Sequence, residues 1–152
     1  MFWTKPMAVM LCLDVNVLVS AIRPDTSHHK VALTAIDVMR HGTEPVALLP
    51  EDAVVFLRVV TNRRIFTSPE TLDEAMEALN SVVASPVIRI TEAGPSRWAV
   101  FEGLVRGKNF LGGDIHDALL TSASIDMNAT LVTADQGFAR FPGLRTRLIV
   151  NA

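Results

Sequence analysis

Short, uninterrupted apolar runs alternate along this chain with stretches of helical periodicity, and the connections between the runs are too long for hairpins. That alternation limits the fold more than any single residue, because parallel strands must be joined by crossovers and those crossovers are usually helices. Residues 9–13 are continuously apolar and are closed by Asp14, the pattern of a strand buried on both faces of a parallel sheet. Leu13-Asp14-Val15-Asn16-Val17-Leu18 reads as a continuation of that core strand. The turn Pro24-Asp25-Thr26-Ser27 precedes Val31, Ala35, Val38 and Met39 at helical spacing, and residues 42–45 end that helix. Residues 46–49 form a second short strand.

Pro50-Glu51-Asp52 opens a helix well, since proline suits the first turn and carboxylates favour the positive end of the helix dipole. Val55, Leu57, Val59 and Val60 make this helix apolar nearly all round. A further helix follows Ser68-Pro69-Glu70 with Leu72, Ala75, Met76, Leu79 and Val83 on one face, and residues 87–90 are the next strand. Gly94-Pro95 starts a helix carrying Trp98, Phe101, Leu104 and Val105. After the loop Leu111-Gly112-Gly113, Asp114 stands as N-cap of a helix with Ile115, Ala118, Leu119 and Ile125. Residues 130–133 form a strand ending at Asp135, and residues 148–150 form a last edge strand. The expected architecture is α/β, a three-layer α/β/α domain with a mainly parallel central sheet.

At 152 residues the chain fits one domain over 1–152, with residues 1–9 as an N-terminal extension. No run of about 18 uncharged apolar residues occurs, so no membrane span is expected. The apolar start runs straight into a core strand with no small-residue cleavage site, which favours a cytoplasmic protein over a secreted one. The single cysteine, Cys12, lies in that strand and is expected to pack in the core. A net charge of −2 argues against a protein that coats nucleic acid through a general positive field. It leaves room for a nuclease, which needs acids at its centre and only local cations for phosphates.

Asp14, Asp114 and Asp135 each stand at the carboxyl end of an expected strand or at the start of a helix facing that edge. Ligand crevices of open parallel sheets lie outside that edge. Converging carboxylates repel unless something neutralises them, and Mg²⁺ or Mn²⁺ does so through oxygen ligands. Such an ion activates water and stabilises charge on a phosphodiester. Each residue also has a purely structural alternative: Asp114 as a helix cap with Asp117 supporting the same dipole, and Asp135 as a turn residue before Gly137.

The segments Leu13-Asp14-Val15-Asn16-Val17-Leu18, Gly113-Asp114-Ile115-His116-Asp117-Ala118-Leu119 and Leu131-Val132-Thr133-Ala134-Asp135-Gln136-Gly137-Phe138 together resemble the PIN-domain family, in particular VapC toxins of VapBC toxin–antitoxin pairs. Ser27-His28-His29, the stretch from Phe56 to Asn62, and Phe141-Pro142-Gly143-Leu144 add to the likeness. The resemblance implies a Mg²⁺- or Mn²⁺-dependent endoribonuclease acting on structured RNA such as tRNA or rRNA. It also implies a homodimer held inactive by a cognate VapB-type antitoxin. Asp14, Asp114 and Asp135 would then be metal-site carboxylates, with Asn16 and Thr133 as supporting polar residues.

Members of the family usually carry a glutamate three residues before the arginine that here is Arg58, and this chain has Val55 there. Glu51, one turn earlier on the same face, either substitutes for it or serves only the helix N-terminus. Asp52 points about 100° away from Glu51 and is the weaker substitute. His116 is a candidate acid or phosphate contact, although a residue so placed is more often a partly buried helix side chain; Arg58, Arg63 and Arg64 are candidate RNA contacts and equally compatible with a solvated face. His28 and His29 are read as structural. A phosphotransfer domain of the receiver or dehalogenase type lacks its second aspartate and its strand-end lysine here. A PIN-like fold that binds RNA or a partner protein without cutting is the remaining alternative.

Overall fold

The structure, a computed structural model, describes residues 9–149. Residues 1–8 of the expected extension, and Val150 of the expected last strand, lie outside the described residues. The elements run β1 (Met10–Leu13), α1 (Val15–Ile22), α2 (His29–His41), β2 (Val46–Leu48), α3 (Pro50–Val60), α4 (Leu72–Val83), β3 (Ile88–Ile90), α5 (Arg97–Val105), α6 (Gly113–Asp126), β4 (Ala129–Thr133) and β5 (Arg145–Leu148). A short 3₁₀ turn, Gln136–Arg140, joins the last two strands.

All neighbouring strands are parallel, in the order β3-β2-β1-β4-β5. The chain lays down β1, β2 and β3 outward in one direction, then returns to place β4 on the other side of β1. That reversal makes the gap between the carboxyl ends of β1 and β4 a topological switch point, where a crevice opens because successive connections leave on opposite faces. Helices α1 to α4 cover one face with Leu11, Leu13, Val46, Leu48 and Val132 beneath them. Helices α5 and α6 cover the other, over Cys12 and Leu131. Successive strand residues fall into opposite layers, as the pleat requires.

Four sequence expectations change. Residues 15–18 are not strand: β1 stops at Leu13, and Asp14, in extended conformation, caps α1 by accepting from the Asn16 amide. Val15, Val17, Leu18 and Val19 are all buried there, so tertiary burial between sheet and neighbouring helices overrides their β-branched preference. Asp114 is not the N-cap of α6. Gly112 takes that place with φ of 53°, a left-handed conformation that suits glycine, and Asp114 falls in the first turn. The edge strand begins earlier than expected, at Arg145, and every residue of it is exposed, so its polar sequence gave no apolar run to read. On α4, Leu72 and Met76 stay exposed while Ala75, Leu79 and Val82 face the core.

Candidate active site

Asp14 lies at the switch point, 3% exposed. Its Oδ1 accepts from the Asn16 amide at 3.1 Å, and its Oδ2 from the Thr133 hydroxyl at 2.7 Å. Thr133, the last residue of β4, is itself fully buried and in turn accepts from the Asp135 amide at 3.0 Å. Burial pushes the Asp14 carboxyl up to about 6; the Thr133 and Asn16 bonds oppose this, while the negative charges of Asp52 and Asp117 add to it.

Asp52 is the residue that sequence reasoning undervalued. Because α3 starts directly after β2, its inward stripe is Asp52, Ala53, Phe56 and Val60, and Asp52 is 1% exposed. Neither of its carboxylate oxygens has a hydrogen-bond partner among the described residues. His116 Nε2 approaches Oδ1 at 3.4 Å, a charge contact too loosely aligned to count as a hydrogen bond. The carboxylate beside it raises the pKa of His116. A buried carboxylate without a hydrogen bond costs the fold stability, and a functional role is one reason for such a group to be kept. The sequence signal was the i, i+4 relation of Asp52 to Phe56, hidden because α3 is apolar on nearly every side.

Glu51 points elsewhere. It pairs with Arg97 of α5, which also donates to the Leu119 carbonyl at 3.3 Å and so ties α3 to α5 and α6. Val55 is partly buried and packs against the core. Of the two acids of α6, Asp117 faces the site: its charge is among those acting on Asp14 and on His116. Asp114 is engaged at both oxygens, with Arg140 at 3.1 Å and the Leu111 amide at 3.4 Å. Arg140 also reaches Asp117 at 3.0 Å. Asp135 is exposed at the same edge, and its Oδ1 caps the 3₁₀ turn through the Gly137 amide at 2.7 Å. A Cβ on Gly137 would meet that oxygen at 2.9 Å, so a larger residue there would make the Asp135 carboxylate shift. The structure therefore gathers Asp14, Asp52, Asp117, His116 and Thr133, with Asp114 and Asp135 at the rim.

Asn16 contributes its backbone amide while its side chain is exposed. Arg58, Arg63 and Arg64 are exposed at and beyond the far end of α3, with Arg58 about 9 Å of helix rise from Asp52. His29 binds the Ser20 carbonyl at 2.8 Å. Burial raises the pKa of Cys12, so its thiol is a core group. A groove of about 1030 Å³ lies at the opposite, amino-terminal edge of the sheet, around Pro45, Thr130 and Arg145, remote from these acids.

Among the described residues, no three His, Cys, Asp or Glu side chains stand close enough to hold an ion as placed. The donor set nevertheless fits a hard divalent cation: clustered carboxylates, one with two orphaned buried oxygens and one with a raised pKa. No described helix is long and apolar enough to cross a membrane.

The class these observations define is a parallel three-layer α/β/α domain with acidic side chains converging on its switch point. Residues 11–144 match the family model described as PIN domain, and the chain belongs to that family. Within it the chain is similar to VapC ribonucleases: Ribonuclease VapC43 of Mycobacterium tuberculosis is 39% identical, across 91% of this chain and 94% of the relative. Solved structures share the fold at lower identity. VapBC2 from Rickettsia felis, bound to a promoter DNA fragment, has a TM-score of 0.69 at 18% identity, covering 93% of this chain and 100% of that one. VapC20 of M. tuberculosis, a sarcin–ricin loop cleaving toxin, has a TM-score of 0.61 at 15% identity, covering 89% and 98%.

Proposed function

We propose that the chain is a divalent-metal-dependent endoribonuclease, the toxin of a type II toxin–antitoxin pair, hydrolysing phosphodiester bonds of structured RNA in the cytoplasm. The observation that carries this reading is Asp52, buried among the acids near Asp14 with neither oxygen in a hydrogen bond and only His116 in charge contact. Asp14, Asp52 and Asp117 would hold Mg²⁺ or Mn²⁺, with Asp135 completing the edge. Asp52 then supplies the carboxylate that Val55 cannot, while Glu51 acts structurally through Arg97. When bound, the ion lowers the pKa of a coordinated water and stabilises charge on the phosphate.

The chain's own residues prepare that chemistry. Thr133 and the Asn16 amide fix the Asp14 carboxylate at both oxygens, so its orientation is set before any ligand arrives. His116 faces Asp52 from α6 at 3.4 Å, and the carboxylate favours its protonated form. VapBC complexes among the structural neighbours support a VapB-type antitoxin as partner. That the structural neighbour VapC20 cleaves the sarcin–ricin loop supports rRNA or tRNA as the substrate class. A homodimer is part of the same proposal.

The test is incubation of purified protein, free of antitoxin, with a tRNA and rRNA pool in Mg²⁺, Mn²⁺ or EDTA. The proposal expects discrete fragments with either metal and none in EDTA. Stoichiometric binding without cleavage under every condition contradicts it and makes the chain a non-cutting RNA or protein binder.

A further inference from the structure

Beside the acid cluster, between the end of α5 and the chain after the 3₁₀ turn, lies a groove of about 420 Å³ that none of the acids lines. Leu104, Phe110, Phe141 and Pro142 form its apolar walls, and Lys108 and Arg140 its cations. Phe110 and Phe141 meet edge to face, 5.7 Å between ring centroids. Phe141 is 3% exposed, while Phe110 is only partly buried and keeps ring surface available. Lys108 and Phe110 lie on the segment between Gly107 (φ 76°) and Gly112 (φ 53°), whose left-handed conformations turn it away from α5 and back into α6.

Arg140 joins this groove to the acids. Its guanidinium lies 4.5 Å from the Phe141 ring centroid, and it bonds Asp114, Asp117 and the Gly137 carbonyl. Those bonds use three of the five N–H donors a guanidinium carries, leaving two for another acceptor. Lys108 is exposed and enters no ion pair among the described residues.

The groove thus offers an aromatic face, apolar walls and two cations, in a chain of net charge −2 whose neighbouring cluster is acidic. A nucleotide matches this combination: the base stacks on an aromatic side chain, and its phosphate pairs with guanidinium or ammonium. A base inside a duplex has no free face to stack, so the match is to an unpaired nucleotide. The volume falls within the range of small-ligand sites.

We propose that this groove binds one unstacked nucleotide of the RNA next to the bond that is cut. Its base lies on Phe110, and its phosphate is held by Lys108 and the free donors of Arg140. The inference rests on the nuclease reading and deepens it, because it selects loops and single strands over duplex.

The test is fluorescence anisotropy with the intact protein in EDTA, using a labelled single-stranded RNA of mixed sequence, the same strand annealed to its complement, and poly-glutamate as competitor. The single strand should bind more tightly than the duplex. Phe110→Leu, which keeps apolar packing against Phe141, should weaken single-strand binding about tenfold and leave duplex binding nearly unchanged. Lys108→Gln should lower the slope of log affinity against log salt by about one, without changing Tm. Single-strand affinity within twofold of wild type in both variants overturns the proposal, as does poly-glutamate competing as well as RNA, the behaviour of a general polyanion surface. Cleavage in Mn²⁺ with KM unmoved by both variants overturns the groove alone and leaves the nuclease standing. Groove-dependent binding with no cleavage in any metal does the reverse.

Discussion

Replacing Asp14 by asparagine should stabilise the metal-free protein at neutral pH while abolishing cleavage. Its carboxyl is pushed up to about 6 in the fold, against an ordinary value of 3.8, chiefly by burial. The folded state therefore keeps the proton after the unfolded chain has released it, and stability falls as pH rises from about 4 to above 6. At about 1.4 kcal/mol per pH unit, the ionised carboxylate costs the fold about 3 kcal/mol at pH 7.5. Asparagine removes that cost but presents an amide to the Thr133 hydroxyl, which loses a bond worth roughly 0.5–1.5 kcal/mol. The net gain is then about 1.5–2.5 kcal/mol, or roughly 5–8 °C in Tm for a chain of this size. At pH 4.5 about two thirds of the penalty is already relieved in the wild type, so the difference should vanish or reverse. Thermal unfolding of both proteins in EDTA at pH 4.5 and 7.5 makes the comparison. An asparagine variant that is less stable at pH 7.5 by as much as at pH 4.5 would refute the claim that Asp14 is held ionised against its surroundings.

Further expectations concern the neighbours. Asp52→Asn should reduce cleavage by at least about a hundredfold with no loss of Tm, whereas Glu51→Gln should retain cleavage and lose about 1 kcal/mol through the Arg97 pair; rate and melting measurements on the two variants separate the roles. Thr133→Val removes the strongest bond holding Asp14 ionised, so the acid limb of the pH–rate profile should move to higher pH; an unmoved limb would count against Asp14 as the titrating group. Arg23, 6% exposed, bridges Asp25 and Glu70 and lies over the Phe66 ring, far from the acids in role; Arg23→Met should lower stability in denaturant unfolding and leave the rate per folded molecule unchanged.

How much of this was legible in the sequence differs from residue to residue. The apolar runs at β1, β2 and β4 announced themselves because strands buried on both faces need no polar alternation. Helix α1 did not, since Val15, Val17 and Val19 carry strand preference and only burial on several sides makes them helical. Strand β5 was shifted because its exposed residues follow no hydrophobic pattern. Asp14 was legible from its place after a core strand. Asp52 was not, because choosing between adjacent acids needs the rotation of α3, and an all-round apolar helix conceals its inward face. Asp114 and Asp117 could not be ranked without Arg140, which reaches them from 26 and 23 residues away and engages both.

If Asp14, Asp52 and Asp117 form the metal site of a ribonuclease, the affinity for a divalent ion must depend on Asp52 and not on its neighbour Glu51. Titration of Mn²⁺ into wild-type, Asp52→Asn and Glu51→Gln proteins, followed by the loss of the free-ion paramagnetic resonance signal, decides between the two. Saturable binding is expected in the wild type and in Glu51→Gln, with binding weakened at least about tenfold in Asp52→Asn. Equal binding by wild-type and Asp52→Asn proteins, or loss confined to Glu51→Gln, would contradict this assignment of the site.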